Sequence, residues 1–537
     1  MGEKKNISKS NLPMILIILD GWGIAGPNKG NAIALAKTPT LSGLIRKYPN
    51  TVLCASGKCV GLPPGQVGNS EAGHMNIGAG RLVEQDAVRI SKSINDGTFF
   101  KNPAFAEAIR HVKKNKTKLH LMGILSAGSS PHSDPDHILA LTVLAKNSGV
   151  KDVYLHLFTD GRDSPRYAAL KMVAAMERSF KNGECVASII GRFYAMDRKK
   201  KWERSEKTYD VLTLGTGRKA KSPQAAIAES YNKGETDEFI EPYVMTRKGK
   251  LTPRIGDGDS VIFFNLRSDR ARQLAKVFVQ KDFSEQNLGS FKRKKILKNL
   301  RFVAMTDFGP DLDSILTAYP GVDLRGTLSA QLADLRQLYI AETEKYAHVT
   351  YFFNGGYANP VAGETRVVIP SPDVKSYDQT PTMRSADLSR VVIENLKNKK
   401  YDFTVLNFAA PDMVGHTGNL EAGIKCCSEI DKRVKEIVDA YLKARGTIII
   451  TADHGNVEEM IDLKTDEVDT EHSVNAVPFI IISPEISGVK IKLNKEGILG
   501  DIAPTILNLL GRKKPKEMTG KSLILNSHLY VQHRATI

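Results

Sequence analysis

The run Met14-Ile15-Leu16-Ile17-Ile18-Leu19 constrains the fold most, because it is apolar at every position and stops at Asp20. A strand without polar alternation has both faces buried, as in a parallel sheet covered on each side by helices. The pattern recurs late in the chain. Residues 403–408 lead into Pro411-Asp412-Met413-Val414-Gly415-His416, and residues 447–450 lead into Ala452-Asp453-His454-Gly455-Asn456. Ligands in open α/β sheets gather outside the carboxyl ends of strands. An α/β fold is therefore expected, with aspartates and histidines brought together past its strand ends.

At 537 residues the chain is too long for one typical core, so at least two domains are expected. No apolar run approaches the roughly 20 residues that span a bilayer, so no membrane partner is expected. Residues 1–11 lack the apolar segment of a secretory signal. Met1-Gly2 does not begin a myristoylation motif, because Asn6 stands where Ser or Thr is required. The five cysteines, Cys54, Cys59, Cys185, Cys426 and Cys427, are odd in number and irregular in spacing. They read as free thiols in a reducing compartment, which points to a cytoplasmic protein.

The formal net charge of +17 is compatible with nucleic acid, a membrane surface or small anions. The lysine runs at 113–118, 199–201 and 292–298 carry no interleaved aromatics that could stack on bases. They read as solvated faces, nucleic acid is set aside as a partner, and a small-anion site is favoured.

Ser70 lies in Val67-Gly68-Asn69-Ser70-Glu71-Ala72-Gly73-His74, a small-residue stretch expected to form a loop. A serine hydroxyl needs a base or a metal before it can act as a nucleophile. Between residues 86 and 318, strand candidates at 118–125, 152–158, 186–190 and 260–265 each end in a polar cluster. The clusters contain His132; Arg162 and Asp163; Arg192 and Arg198; and Arg267 and Arg270. The planar fork of arginine binds carboxylate and phosphate in bidentate fashion, so five arginines past strand ends suit a molecule bearing both groups. Residues 281–300 read as a helix-bearing surface connection. Beyond 319 the strand–helix alternation resumes, Lys345 can reach a phosphoryl oxygen, and His472 adds another ligand type.

Asp20, Ser70, Asp412, His416, Asp453, His454 and His472 suffice for two divalent cations. Mixed carboxylate and imidazole donors suit Mn²⁺ first, with Zn²⁺, Co²⁺ and Mg²⁺ as alternatives, Mg²⁺ being the least at ease with imidazole. Two such ions can polarise a phosphoryl group, and one of them can bind the Ser70 oxygen and favour its alkoxide.

The segments Leu19-Asp20-Gly21-Trp22-Gly23, Gly68-Asn69-Ser70-Glu71-Ala72-Gly73-His74, Pro411 to Gly418 and Thr451 to Asn456 resemble the cofactor-independent phosphoglycerate mutases of the alkaline phosphatase superfamily. The resemblance runs from about residue 15 to 525 and takes in Asp160-Gly161-Arg162-Asp163, Arg192 to Arg198, Arg267 to Arg270 and Glu342 to His348. It implies interconversion of 3-phosphoglycerate and 2-phosphoglycerate through a phosphoserine on Ser70. It implies one cation on Asp412, His416 and His472, and another on Asp20, Ser70, Asp453 and His454. It also implies two three-layer α/β domains: a phosphatase-like metal domain of residues 1–85 and 319–537, with a transferase domain of residues 86–318 inserted.

On that resemblance His132, Arg162, Asp163, Arg192, Arg198, Arg267, Arg270 and Lys345 map to substrate positions. Arginines would anchor the glycerate carboxylate while the phosphoryl group rests on Ser70. Asp163 would handle the glycerate hydroxyl protons, and Lys345 with the metals would neutralise the transferring group. Closure of one domain over the other would exclude water. His74 would be structural, and the enzyme a monomer. The family pattern Asp-Gly-Gly-Val-His-Ser-His is replaced by Ala127-Gly128-Ser129-Ser130-Pro131-His132-Ser133-Asp134, one residue longer and with Asp for the second histidine. The rival reading is a metal-dependent phosphatase or another phosphomutase of the same superfamily.

Overall fold

The computed structural model describes residues 13–127, 130–309, 311–312, 315–484 and 491–525. Residues 1–11, and Gly128 and Ser129 of the departing segment, lie outside them. The chain divides into two compact units, residues 1–85 with 323–537, and residues 86–322.

The first unit is built on an eight-stranded sheet. Its order is Thr365–Ile369, Gln337–Glu342, Phe403–Phe408, Met14–Leu19, Thr447–Thr451, Val477–Ile482, Asn50–Cys54 and Glu496–Ile498. Met14–Leu19 pairs in parallel with Phe403–Phe408 on one side and Thr447–Thr451 on the other. All six of its residues are buried, as the unbroken apolar run requires. Fully burying one such Ile or Leu side chain contributes about 1.5–3 kcal/mol. The long helix Leu420–Lys443 shields the sheet. Asn419 caps it by accepting from Ala422 N–H at 3.2 Å, and Cys426, Ile430, Val434, Ile437 and Tyr441 form its buried stripe.

The second unit has a nine-stranded sheet. Five strands, Arg301–Thr306, Ser260–Phe263, Leu119–Leu125, Val153–Thr159 and Cys185–Gly191, run parallel through its centre. Helices Pro103–Asn115, Pro135–Asn147 and Ser268–Val279 bury apolar stripes of their own. The edge strand Leu316–Tyr319 pairs with Arg301–Thr306 and carries this unit to Val322, past residue 318.

Two local expectations change. Ser70 does not sit in a loop; it opens the helix Ser70–Ala79. Asn69, in extended conformation, accepts from Ala72 N–H at 2.9 Å and so starts the helix one residue before the serine. Cys54 and Cys59 are not free thiols but are joined by a disulfide. The chain leaves strand Asn50–Cys54 and turns at once into the 3-10 helix Gly57–Val60, which brings their Cα atoms to 5.9 Å. Cys185, Cys426 and Cys427 are free. This pair therefore lends no support to a reducing compartment.

Candidate functional site

Four adjacent parallel strands of the first unit deliver their following residues to one edge. Gln337–Glu342 leads to Lys345, Phe403–Phe408 to Asp412 and His416, Met14–Leu19 to Asp20, and Thr447–Thr451 to Asp453 and His454. Val477–Ile482 runs antiparallel to its neighbour, so the segment before it, with His472, reaches the same edge. Ser70 arrives on the first turn of its helix.

The resulting centre is buried and dense with acceptors. Ser70 Oγ lies 2.6 Å from Lys345 Nζ, 2.9 Å from His454 Nε2 and 3.3 Å from Asp20 Oδ1. The Lys345 ammonium also donates to Asp20 Oδ1 at 2.7 Å and to Asp412 Oδ2 at 2.6 Å. Burial alone would strip its proton, but Asp20, Asp412 and Asp453 outweigh burial and hold it charged. Burial likewise works to raise Asp20 and Asp412, and the nearby Lys345 charge more than reverses it, so both stay ionised far below the usual carboxylate range.

His416 Nδ1 donates to the Thr470 carbonyl at 2.7 Å, and His472 Nδ1 donates to the Gly68 carbonyl at 2.8 Å. Each ring therefore presents its Nε2 inward. The two Nε2 atoms are 3.0 Å apart and lie 3.4 and 3.1 Å from Asp412 Oδ1. Imidazoles fixed in this way by backbone carbonyls are arranged as metal ligands are. Asp453 supplies a second sign. It is fully buried, and neither of its carboxylate oxygens has a hydrogen bond. An unpaired buried carboxylate is costly unless a cation neutralises it. Three sets of donor atoms lie within 4.8 Å of one another: Asp412, His416 and His472; Asp20, Asp412 and His454; and Asp20, His74 and Asp453. The donor chemistry fits divalent cations, with Asp20 and Asp412 each shared between sets.

His74 belongs to the helix. Its Nδ1 donates to the Ser70 carbonyl at 2.9 Å and lies 3.1 Å from Asp453 Oδ2, and its Nε2 accepts from Asn407 Nδ2 at 3.0 Å. With both nitrogens engaged it has no lone pair to offer a cation. Asn407 also donates to Asp20 Oδ2 at 2.7 Å, and Asn456 Nδ2 donates to Asp412 Oδ1 at 2.9 Å. Sequence reasoning missed both asparagines as ligand-orienting groups. Their nearest signal was position, since Asn407 is inside an apolar strand and Asn456 follows the Asp453-His454 pair.

The second unit gathers its cluster at the ends of its own parallel strands. Arg192 is buried and donates to Asp160 Oδ1 at 2.5 Å and to Asp163 Oδ2 at 2.6 Å. Asp160 also accepts from the backbone N–H groups of Arg162 and Asp163 and from the Ser126 and Ser164 hydroxyls. It was not singled out in the sequence, yet it shapes the turn that carries Arg162 and Asp163. His132 Nε2 is 3.8 Å from Asp163 Oδ2. Burial, then Arg192 and Arg267, push the His132 imidazole down to about 4, so it is neutral near pH 7. Arg198 and Arg267 face Asp269 at 2.5 and 3.6 Å. Arg270 donates to the Met196 carbonyl at 3.3 Å. Burial and then the charges of Arg192, Arg198 and Arg162 lower it to about 10. Arg162 reaches out to Glu238 at 3.8 Å and is more than half exposed.

Comparison with known proteins agrees with this anatomy. A family model described as the metalloenzyme superfamily matches residues 12–514. A 2,3-bisphosphoglycerate-independent phosphoglycerate mutase of Clostridium kluyveri is 47% identical over 517 residues, covering 95% of this chain and 99% of that protein. One from Methanosarcina acetivorans is 47% identical over 525 residues, covering 97% and 100%. A crystal structure of Leishmania mexicana phosphoglycerate mutase at low cobalt concentration superposes with a TM-score of 0.76 at 28% identity, covering 97% of this chain and 98% of that one. With near-complete coverage at that identity, this chain belongs to the metalloenzyme superfamily and, within it, to the 2,3-bisphosphoglycerate-independent phosphoglycerate mutases.

Proposed function

We propose that the chain interconverts 3-phosphoglycerate and 2-phosphoglycerate by parking the phosphoryl group on Ser70, with two divalent cations at the first unit's strand edge. The observation that carries this reading is the setting of the Ser70 hydroxyl. It sits at a helix N-terminus, within 2.6 Å of the Lys345 ammonium and beside His454 and Asp20. A phosphate on that oxygen would meet the helix N–H groups and a fixed positive charge.

Asp412, His416 and His472 would hold one cation, and Asp20, Ser70, Asp453 and His454 the other. When bound, such ions supply Lewis-acid polarisation and favour the serine alkoxide. Mn²⁺ suits the mixed donors best, with Co²⁺, Zn²⁺ and Mg²⁺ as alternatives; the Leishmania relative was crystallised with cobalt. In the second unit, which takes the transferase role, Arg162, Arg192, Arg198, Arg267 and Arg270 would hold the carboxylate and phosphate of the substrate, with neutral His132 beside them. Asp163 would exchange protons with the glycerate hydroxyls.

A single chain contains every group named, so a monomer is taken as the functional unit. The cytoplasm is taken as its compartment, because the reaction is a step of glycolysis. Among the described residues no helix is long and apolar enough to cross a membrane. The test is incubation with 3-phosphoglycerate and Mn²⁺ in the absence of 2,3-bisphosphoglycerate. The expected product is 2-phosphoglycerate with no free phosphate. Release of inorganic phosphate alone would favour a phosphatase and overturn the mutase reading.

A further inference from the structure

Glu458 is buried completely and lies outside every ligand set of the metal centre, yet its carboxylate ties together the loops that carry those ligands. Oε2 accepts from the backbone N–H of Gly23 at 3.0 Å and from that of Asn456 at 2.8 Å. Oε1 accepts from Asn475 Nδ2 at 3.0 Å and from the Ser473 hydroxyl. Gly23 lies three residues after Asp20, Asn456 two after His454, and Ser473 one after His472. The Asn456 side chain in turn holds Asp412. Loops from three different strand ends therefore converge on one acceptor. Gly23 and Gly455 leave room for it, since a Cβ on either would collide with the Glu458 carboxylate.

We infer that Glu458 is the positioning residue of the metal centre, a buried anion that sets the spacing of the Asp20, Asp453–His454 and His472 loops before any cation binds. Only a carboxylate can do this. It accepts from four donors and donates nothing, whereas the isosteric amide of glutamine must turn an NH₂ group toward two N–H or O–H groups. Groups that orient metal ligands from behind typically govern affinity by about 10–100-fold. The inference rests on the reading of this edge as a divalent-cation centre.

The test is Mn²⁺ titration of metal-free protein, with free ion followed by electron paramagnetic resonance, together with the visible absorption of the Co²⁺-loaded form. Glu458→Gln is expected to weaken both Mn²⁺ sites about tenfold or more and to alter the Co²⁺ bands. Ser473→Ala, which removes one donor beside His472, is expected to weaken one site and leave the other unchanged. A folded Glu458→Gln protein with two Mn²⁺ constants like those of the unmodified chain would overturn the inference. If Glu458→Gln does not fold, Ser473→Ala decides, and two unchanged constants overturn it. An unmodified chain that binds no Mn²⁺ would instead defeat the metal-centre reading itself.

Discussion

Both sheets present their polar clusters just past the carboxyl ends of parallel strands, yet the two clusters have opposite electrical character. In the first unit Asp20, Asp412 and Asp453 surround a lone ammonium, Lys345, and Asp453 has no hydrogen bond to either oxygen. In the second unit the arginines outnumber the aspartates, and Arg270, with a carbonyl for its hydrogen-bond partner, is crowded by like charges. The same backbone device thus yields a cation-seeking edge in one unit and an anion-seeking edge in the other. A phosphorylated carboxylate bound with metal ions satisfies both.

The largest expected effect falls on the first unit. Ser70→Ala should lower turnover by about 10⁴-fold or more while Mn²⁺ still binds; mutase activity measured at near-normal rate in that variant would remove Ser70 as nucleophile. The reciprocal change, Arg270→Leu, should cost about 100-fold in kcat/KM, as expected for losing charged hydrogen bonds to an anion. Its Mn²⁺ affinity should be unaffected, and a parallel loss of metal would show that the two edges are not electrically separate tasks.

Metal removal should act on stability as well as on activity. Mn²⁺ at 100 times its Kd should add about 2.7 kcal/mol, read as a higher melting temperature than in excess chelator. A melting temperature indifferent to the ion would argue that Lys345 alone neutralises the acidic edge.

The smallest effect concerns pH and the second unit. The folded pKa of His132 lies below its unfolded value, so the unfolded chain takes up the proton first. Stability is then full above about pH 6.5 and falls with acid until about pH 4. Between pH 6.5 and 5 this one group should cost about 2 kcal/mol. His120 and His156, also lowered by burial, act in the same direction. Urea unfolding of His132→Gln beside the unmodified chain isolates the His132 share, and equal slopes against pH would refute it.

Much of this was legible in the sequence because it is local. An unbroken apolar run declares a doubly covered strand, and Asp20, Asp412, Asp453 and His454 follow such runs within a few residues. What remained hidden depends on distance along the chain. Glu458 reads as an ordinary acid beside Glu459, and its meaning comes from Gly23, 435 positions away. Asn407 lies inside an apolar strand and reads as a blemish until Asp20 and His74 arrive beside it. The Cys54–Cys59 bridge was overlooked because the short helix that closes it has no periodicity to detect. Asp160 was read as part of a turn motif, although five donors converge on its carboxylate.

The pairing of Met14–Leu19 also sets an order of events during synthesis. Its neighbours are Phe403–Phe408 and Thr447–Thr451, and residue 403 is made 384 residues after residue 19 (403 − 19). At about 5–20 residues per second, that leaves six fully apolar residues without a partner strand for roughly 20–80 s. The whole of 86–322 is made within that interval, so the inserted unit can fold first while the central strand of the other waits. The first piece of the metal centre to leave the ribosome is therefore the one that depends longest on being shielded from aggregation.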